Sequence, residues 1–328
     1  MQPETAEPVS RSAWSRISRP SAGGGERGRE LLAYWAYRAA ERLISALPRA
    51  VVLPIAAAAG NLAYDLGGDK RRVVAENLAP AMGLPPDDRR VARATRRAFR
   101  NYARYLADVM RLAGLTPQEV AALVDIDNLE LLHQAHAEEK GVLLCTLHVG
   151  GMDLIASGLS LQEQELHVIA DDTTYGRLYE HLRAVRARHG LTLIGWRNLR
   201  GMVRALRSGG NLVLFCDGGY RAGDVPVEFL GEATTFPAGP ATLSARSGAP
   251  MLPVACQRTR SDRFRAHGLP LVRAERDDPA EIYRATQALA DELAGVIASD
   301  PGQWYMFRPV WPQTDEDRAR ARAALERA

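Results

Sequence analysis

The chain has 328 residues, 46% of them hydrophobic, enough to bury a sizeable core in one large domain or two small ones. Forty-two basic against thirty-nine acidic residues leave a net charge of +3, too slight a bias to imply nucleic acid as a partner. Three widely spaced cysteines, Cys145, Cys216 and Cys256, exclude a disulfide framework and a C-x-x-C zinc site, and fit a reducing, cytosolic setting.

Residues 1–29 are rich in Ser, Pro, Gly and Arg and read as a disordered arm. Gly23, Gly25 and Gly28 fit G-x-G-x-x-G, but no strand precedes them and the dinucleotide reading fails. The arm also lacks the apolar central segment of a cleavable signal peptide. From Glu30 to about Val124 the pattern is helical. Leu31, Leu32, Trp35, Ala39, Leu43 and Ile44 recur at helical spacing, and the stretch from Val91 to Leu112 repeats it. Tyr34, Trp35 and Tyr37 give the first helix the aromatic, Arg-bearing character of one lying in a membrane interface, although core packing produces the same spacing. No apolar run reaches the ~20 residues needed to span a bilayer. The longest, Ala50 to Ala63, is interrupted by Pro54, Gly60 and Asn61.

Beyond Asn128, apolar runs alternate with helical segments. Strands are expected at Gly141–Leu147, Leu166–Ala170, Leu191–Ile194, Asn211–Phe215 and Met251–Ala255, and helices near 152–161, 175–189, 199–208 and 239–247. Strands that are continuously apolar and separated by helices predict an α/β fold: a mostly parallel central sheet flanked by helices, with an N-terminal helical membrane-associating region. A long helix follows from about Pro279 to Ala298, then an Arg- and Ala-rich one. The expected divisions are the arm over 1–29, helices packed on the core over 30–124, the α/β core over 125–312 and a terminal helix over 313–328. The stretch Phe229 to Pro240 reads as loop, part of a connection of roughly twenty residues between strand and helix, long enough to suggest a functional role.

A histidine with a carboxylate five positions on can form an activated base, but H-x-x-x-x-[DE] alone carries little information, since about one chance match is expected. The chain has three: His133/Glu138 inside a helix, His167/Asp172 straddling a strand, and His148/Asp153. Context selects the last. His148 ends an apolar strand, Gly150 and Gly151 turn the backbone, and Asp153 falls in the first turn of the following helix, at the carboxyl end of the sheet where α/β folds place ligands. The alternative is a structural histidine beside a helix-capping aspartate. Asp217, followed by Gly218-Gly219 and Arg221, emerges from another strand end; it can support the base or bind acceptor hydroxyls, and Arg221 suits an anionic head group. An Asp-Gly-Gly turn is the plainer explanation of that stretch taken alone.

These residues resemble the bacterial lipid A lauroyl/myristoyl acyltransferases, and in particular the phosphatidylinositol mannoside acyltransferases. The resemblance covers nearly all of the chain after residue 30. It rests on Arg72-Val73-Val74-Ala75-Glu76-Asn77-Leu78, the His148–Asp153 block, Asp217, the stretch Val225 to Thr234, Pro237-Ala238-Gly239-Pro240, and Trp304-Tyr305-Met306-Phe307-Arg308-Pro309-Val310-Trp311. It departs at Gly151-Met152, where Asn-Trp is usual, and at Asp217, where glutamate is usual.

The resemblance implies transfer of a fatty acyl group from acyl-CoA or acyl carrier protein to a hydroxyl of a membrane lipid or glycolipid, at the cytoplasmic face of the bacterial membrane. Neither a metal nor a bound cofactor is implied. It implies His148 as base, oriented by Asp153, with Asp217 as a further catalytic acid. Asp171 and Arg186 would lie near the acceptor's polar groups, together with Arg221 and Glu232. Backbone amides of Gly150 and Gly151 would steady the oxyanion. Three other readings stand beside it: a lipid A-type or other lysophospholipid acyltransferase, a cysteine-nucleophile enzyme using Cys145 or Cys216, and a non-catalytic peripheral membrane protein. The absence of G-x-S-x-G counts against a serine esterase.

Overall fold

The computed structural model describes residues 24–162, 165–170 and 176–328. Four long helices come first: α1 (Gly24–Ala46), α2 (Arg49–Leu66), α3 (Gly68–Met82) and α4 (Arg89–Arg111). A 3-10 turn and the short α5 (Pro117–Ala121) lead into β1 (Val124–Asp127) and α6 (Leu129–His136). The alternating part runs β2 (Val142–Thr146), α7 (Met152–Leu159), β3 (Leu166–Ala170), α8 (Gly176–Arg188), β4 (Leu191–Gly195), α9 (Leu199–Arg207) and β5 (Asn211–Phe215). Then follow β6 (Val225–Phe229), β7 (Glu232–Phe236), α10 (Gly239–Ser247), β8 (Met251–Arg258), β9 (Phe264–Gly268), α11 (Pro279–Ser299) and α12 (Asp315–Arg327).

Seven strands form one sheet in the order β1-β9-β8-β2-β5-β3-β4, parallel at every pairing except β8 with β9. This is the expected mostly parallel sheet flanked by helices. Side chains alternate across it. Leu143, Cys145, Leu212 and Leu214 face one apolar core, and Val142, Leu144, Val213 and Leu252 face a second, shared with Leu132 of α6 and Leu159 of α7.

Three readings of the sequence are corrected. Helix α1, which packs against α4 and α8, begins at Gly24, inside the stretch read as an arm; residues 1–23 lie outside the described residues. The long loop contains a hairpin, β6 with β7, closed by Leu230 and Gly231 at φ 53° and 80°, a two-residue turn that suits the strand twist. Its signal was the alternation of buried Val227 and Phe229 with exposed Glu228. Strands β1 and β9 escaped notice because Val-Asp-Ile-Asp and Phe-Arg-Ala-His-Gly are short and polar on one face.

Polar links anchor the N-terminal helices to the sheet. Asp108 on α4 accepts two hydrogen bonds from Arg49 on α2, at 2.8 and 3.1 Å, and one from Arg258 on β8 at 2.6 Å. Both guanidiniums lie over the Phe264 ring. Asn77 of α3 donates to the carbonyls of Met306 and Arg308 and accepts from the Val310 amide. Two stretches of sequence far apart, around Asn77 and around Trp304, are thereby one structural unit.

Candidate active site

In-register pairing of two parallel strands creates the site. Thr146 at the end of β2 lies opposite Phe215 at the end of β5, and the Cys216 amide extends the ladder to the Thr146 carbonyl. The residue two places beyond each strand end therefore emerges at the same point, and these are His148 and Asp217. His148 Nδ1 hydrogen-bonds Asp217 Oδ1 at 2.7 Å. Asp217 Oδ2 accepts from the His148 backbone amide and from Trp304 Nε1, both at 2.8 Å. The carboxylate is fully buried beneath the ring, whereas the imidazole keeps 43% of its surface, with one face on Phe215 at a centroid distance of 4.4 Å.

The segment that follows α11 completes the frame. The Tyr305 amide donates to the His148 carbonyl at 2.8 Å, and the Gly150 amide donates to the Gln303 carbonyl at 3.1 Å. A side chain at Gly150, where φ is +63°, would collide with the Cys256 carbonyl, and one at Gly151 would enter the Phe264 ring. Close packing, rather than an exposed pair of amides, is what demands glycine here. The expectation that Gly150 donates to an oxyanion is thus corrected: its N–H already serves Gln303.

Electrostatics set His148 apart. Burial alone would lower its pKa, but the charge and hydrogen bond of Asp217 outweigh it and the net shift is upward. Burial likewise opposes ionisation of Asp217, yet the imidazole and the Trp304 and amide donors hold its carboxyl below the usual range. An anion locked onto Nδ1 fixes the tautomer and leaves Nε2 to take a proton.

Asp153 does not orient the histidine, contrary to expectation. It sits in the first turn of α7 and turns to Arg186 of α8, whose Nε donates at 2.7 Å, and to the Tyr105 hydroxyl of α4. Burial works against the Asp153 charge, but Arg186 and Tyr105 keep its carboxyl below the ordinary value. Asp153 in turn raises the Arg186 pKa, and burial and Asp153 raise that of Tyr105. The carboxylate remains near enough to contribute to the field at His148. Helix α1 clamps α8 in place: Glu30 accepts from the Arg177 amide at 3.1 Å, and His181 Nε2 meets Glu41 at 2.7 Å.

From His148 an apolar cavity of about 310 Å³ runs along the sheet face that carries Leu144 and Val213, walled by Leu132, Leu159, Leu166 and Leu191. Asp153, Arg186 and Tyr105 share its lining with His148. The other expected residues lie elsewhere. Arg221 is exposed, with its amide on Thr235 Oγ1, and Glu232 borders a separate groove beside Arg72 and Trp311. Asp171 falls outside the described residues. Cys145 and Cys216 are buried on the sheet face opposite the cavity, and Cys216, hydrogen-bonded to Cys145 and desolvated, has a thiol pKa pushed far up. A thiolate nucleophile has no support there. Sequence reasoning missed Trp304 and Tyr105. The first stood in a quoted motif without a role; the second, on a helix 48 residues before Asp153, carried no signal.

The model of the bacterial lipid A biosynthesis acyltransferase family matches residues 26–313. The phosphatidylinositol mannoside acyltransferase of Mycolicibacterium smegmatis is 30% identical over 297 residues, covering 87% of this chain and 93% of that protein. The protein of the same name from Mycobacterium tuberculosis (strain H37Rv) is 29% identical over 288 residues, covering 84% and 88%.

Proposed function

The chain belongs to the bacterial lipid A biosynthesis acyltransferase family and is an acyltransferase, and we propose that it moves a fatty acyl group from a thioester donor to a hydroxyl of a membrane glycolipid of the phosphatidylinositol mannoside type. The observation that carries this reading is the His148–Asp217 pair opening onto an apolar channel. The acyl chain lies in the channel, where each buried methylene contributes ~0.8 kcal/mol. His148 Nε2 takes the proton of the acceptor hydroxyl, and its oxygen attacks the thioester carbonyl. Collapse of the tetrahedral intermediate breaks the C–S bond, and the imidazolium returns its proton to the leaving thiolate. Asp217 stabilises the imidazolium. Arg186, held by Asp153, presents charge and donors toward acceptor oxygens at the channel mouth. The donor is acyl-CoA or acyl carrier protein.

Among the described residues no single helix is long and apolar enough to cross a membrane. Leu32, Trp35 and Leu43 of α1 and Ile55, Leu62 and Leu66 of α2 are nonetheless exposed, with Leu32 at 72% and Leu66 at 77%. Such a surface suits shallow insertion at the cytoplasmic face, bringing acceptor lipid to the helix that clamps α8. The test is transfer to vesicle-borne phosphatidylinositol mannoside, followed by mass spectrometry, with acyl-CoA and acyl carrier protein as separate donor arms. His148→Ala should lose at least ~10³-fold in rate while folding normally; turnover equal to wild type would refute the assignment.

A further inference from the structure

The sheet face that lines the channel continues, one layer beyond the lining residues of β5, to a buried amide. Along β5, Phe215 and Val213 line the cavity, and the two-residue period puts Asn211 on that same face, one layer deeper. In that layer Asn211 pairs in register with Val142 of β2 and Leu166 of β3, and Leu166 and its β4 partner Leu191 are channel walls. Asn211 is 0% exposed, and neither its side-chain oxygen nor its nitrogen has a hydrogen-bond partner among the described residues. Buried amides are nearly always paired, so an unpaired one among valines and leucines calls for a reason. The hydrophobic core would be better served by leucine at this position.

We propose that Asn211 is the floor of the acyl channel and sets the longest chain the enzyme transfers well. The inference rests on the acyl-transfer reading above. Four residues separate Phe215, against the His148 ring, from Asn211, so the floor lies ~13 Å below the reacting centre along the strand. Each methylene that finds apolar wall gains affinity, about fourfold per carbon. A chain that reaches Asn211 meets instead an amide whose donors and acceptor it cannot satisfy, together with any water they hold, and the gain stops. The floor thus discriminates by polarity as well as by volume.

Two substitutions separate those contributions. Asn211→Leu keeps the branched shape and removes the polarity; Asn211→Ala opens room for about one further methylene. The experiment is competition among acyl-CoA donors of increasing chain length, with product ratios read by mass spectrometry and thermal unfolding as the control for folding. For Asn211→Leu, donors one or two carbons beyond the wild-type optimum should gain at least about fourfold relative to that optimum. For Asn211→Ala, the optimum itself should move up by about one carbon. Asn211→Leu buries no orphan amide, a gain that offsets the bulk of its two methyl groups, and should unfold near wild type, so it decides the matter even if Asn211→Ala fails to fold. A folded, active Asn211→Leu enzyme with the wild-type donor ranking overturns the proposal. A wild-type protein that accepts no acyl donor overturns instead the acyl-transfer reading beneath it.

Discussion

Replacing Asp217 by asparagine tests most directly how the histidine is activated. Asp217 accepts three hydrogen bonds: Oδ2 from the His148 amide and Trp304 Nε1, and Oδ1 from His148 Nδ1. In Asp217→Asn the amide oxygen takes the Oδ2 place, because two fixed donors point there. The NH₂ group must then face Nδ1 and donate to it. The imidazole is forced into the tautomer with its proton on Nε2, the nitrogen that has to accept one. The analogous exchange in the Ser-His-Asp triad lowers kcat about 10⁴-fold, equivalent to ~5 kcal/mol of lost transition-state stabilisation. The fold should survive, since all three contacts remain with one reversed in direction, and losing the charge assistance of one bond is worth ~1.5–3 kcal/mol. Single-turnover acyl transfer and thermal unfolding on the same preparation separate the two effects. If Asp217→Asn retains activity within about tenfold of wild type while Asp153→Asn loses more, Asp153 is the working partner and the geometry has been misread.

Arg186→Met strands the buried Asp153 carboxylate and should cost ~3 kcal/mol at neutral pH, most of it recovered in the Arg186→Met/Asp153→Asn double variant, as chemical denaturation would show. The wild-type pair contributes stability above the ordinary aspartate pKa and loses it as pH falls through the lowered Asp153 value, so the gap to Arg186→Met should narrow in acid. Because the His148 pKa is raised and the base must be neutral, the acid limb of the rate profile should lie above the ordinary imidazole value of ~6.5, and Asp217→Asn should move it to lower pH. Cys216→Ala should keep near-wild-type turnover and trap no acyl-enzyme, which intact-protein mass spectrometry would detect.

Local pattern determined a good deal. Apolar runs bounded by glycine and helical spacing placed β3 and β5 to the residue and β2, β4 and β8 to within a few residues, and from that order came the parallel sheet and the choice of His148 over His133 and His167. Those inferences succeed because a strand buried on both faces must be apolar throughout, whatever surrounds it. The partner of His148 was of a different kind. Asp153 is five residues away and Asp217 sixty-nine, and only the pairing of β2 with β5 makes the distant one the neighbour. Tyr105 and Trp304 depend likewise on how α4 and the C-terminal segment pack against the sheet, and the unpaired amide of Asn211 on the place of β5 within it. Propensity and spacing act over a few residues along the chain, whereas hydrogen bonds form wherever folding brings donor to acceptor, and the active site is made of the second kind.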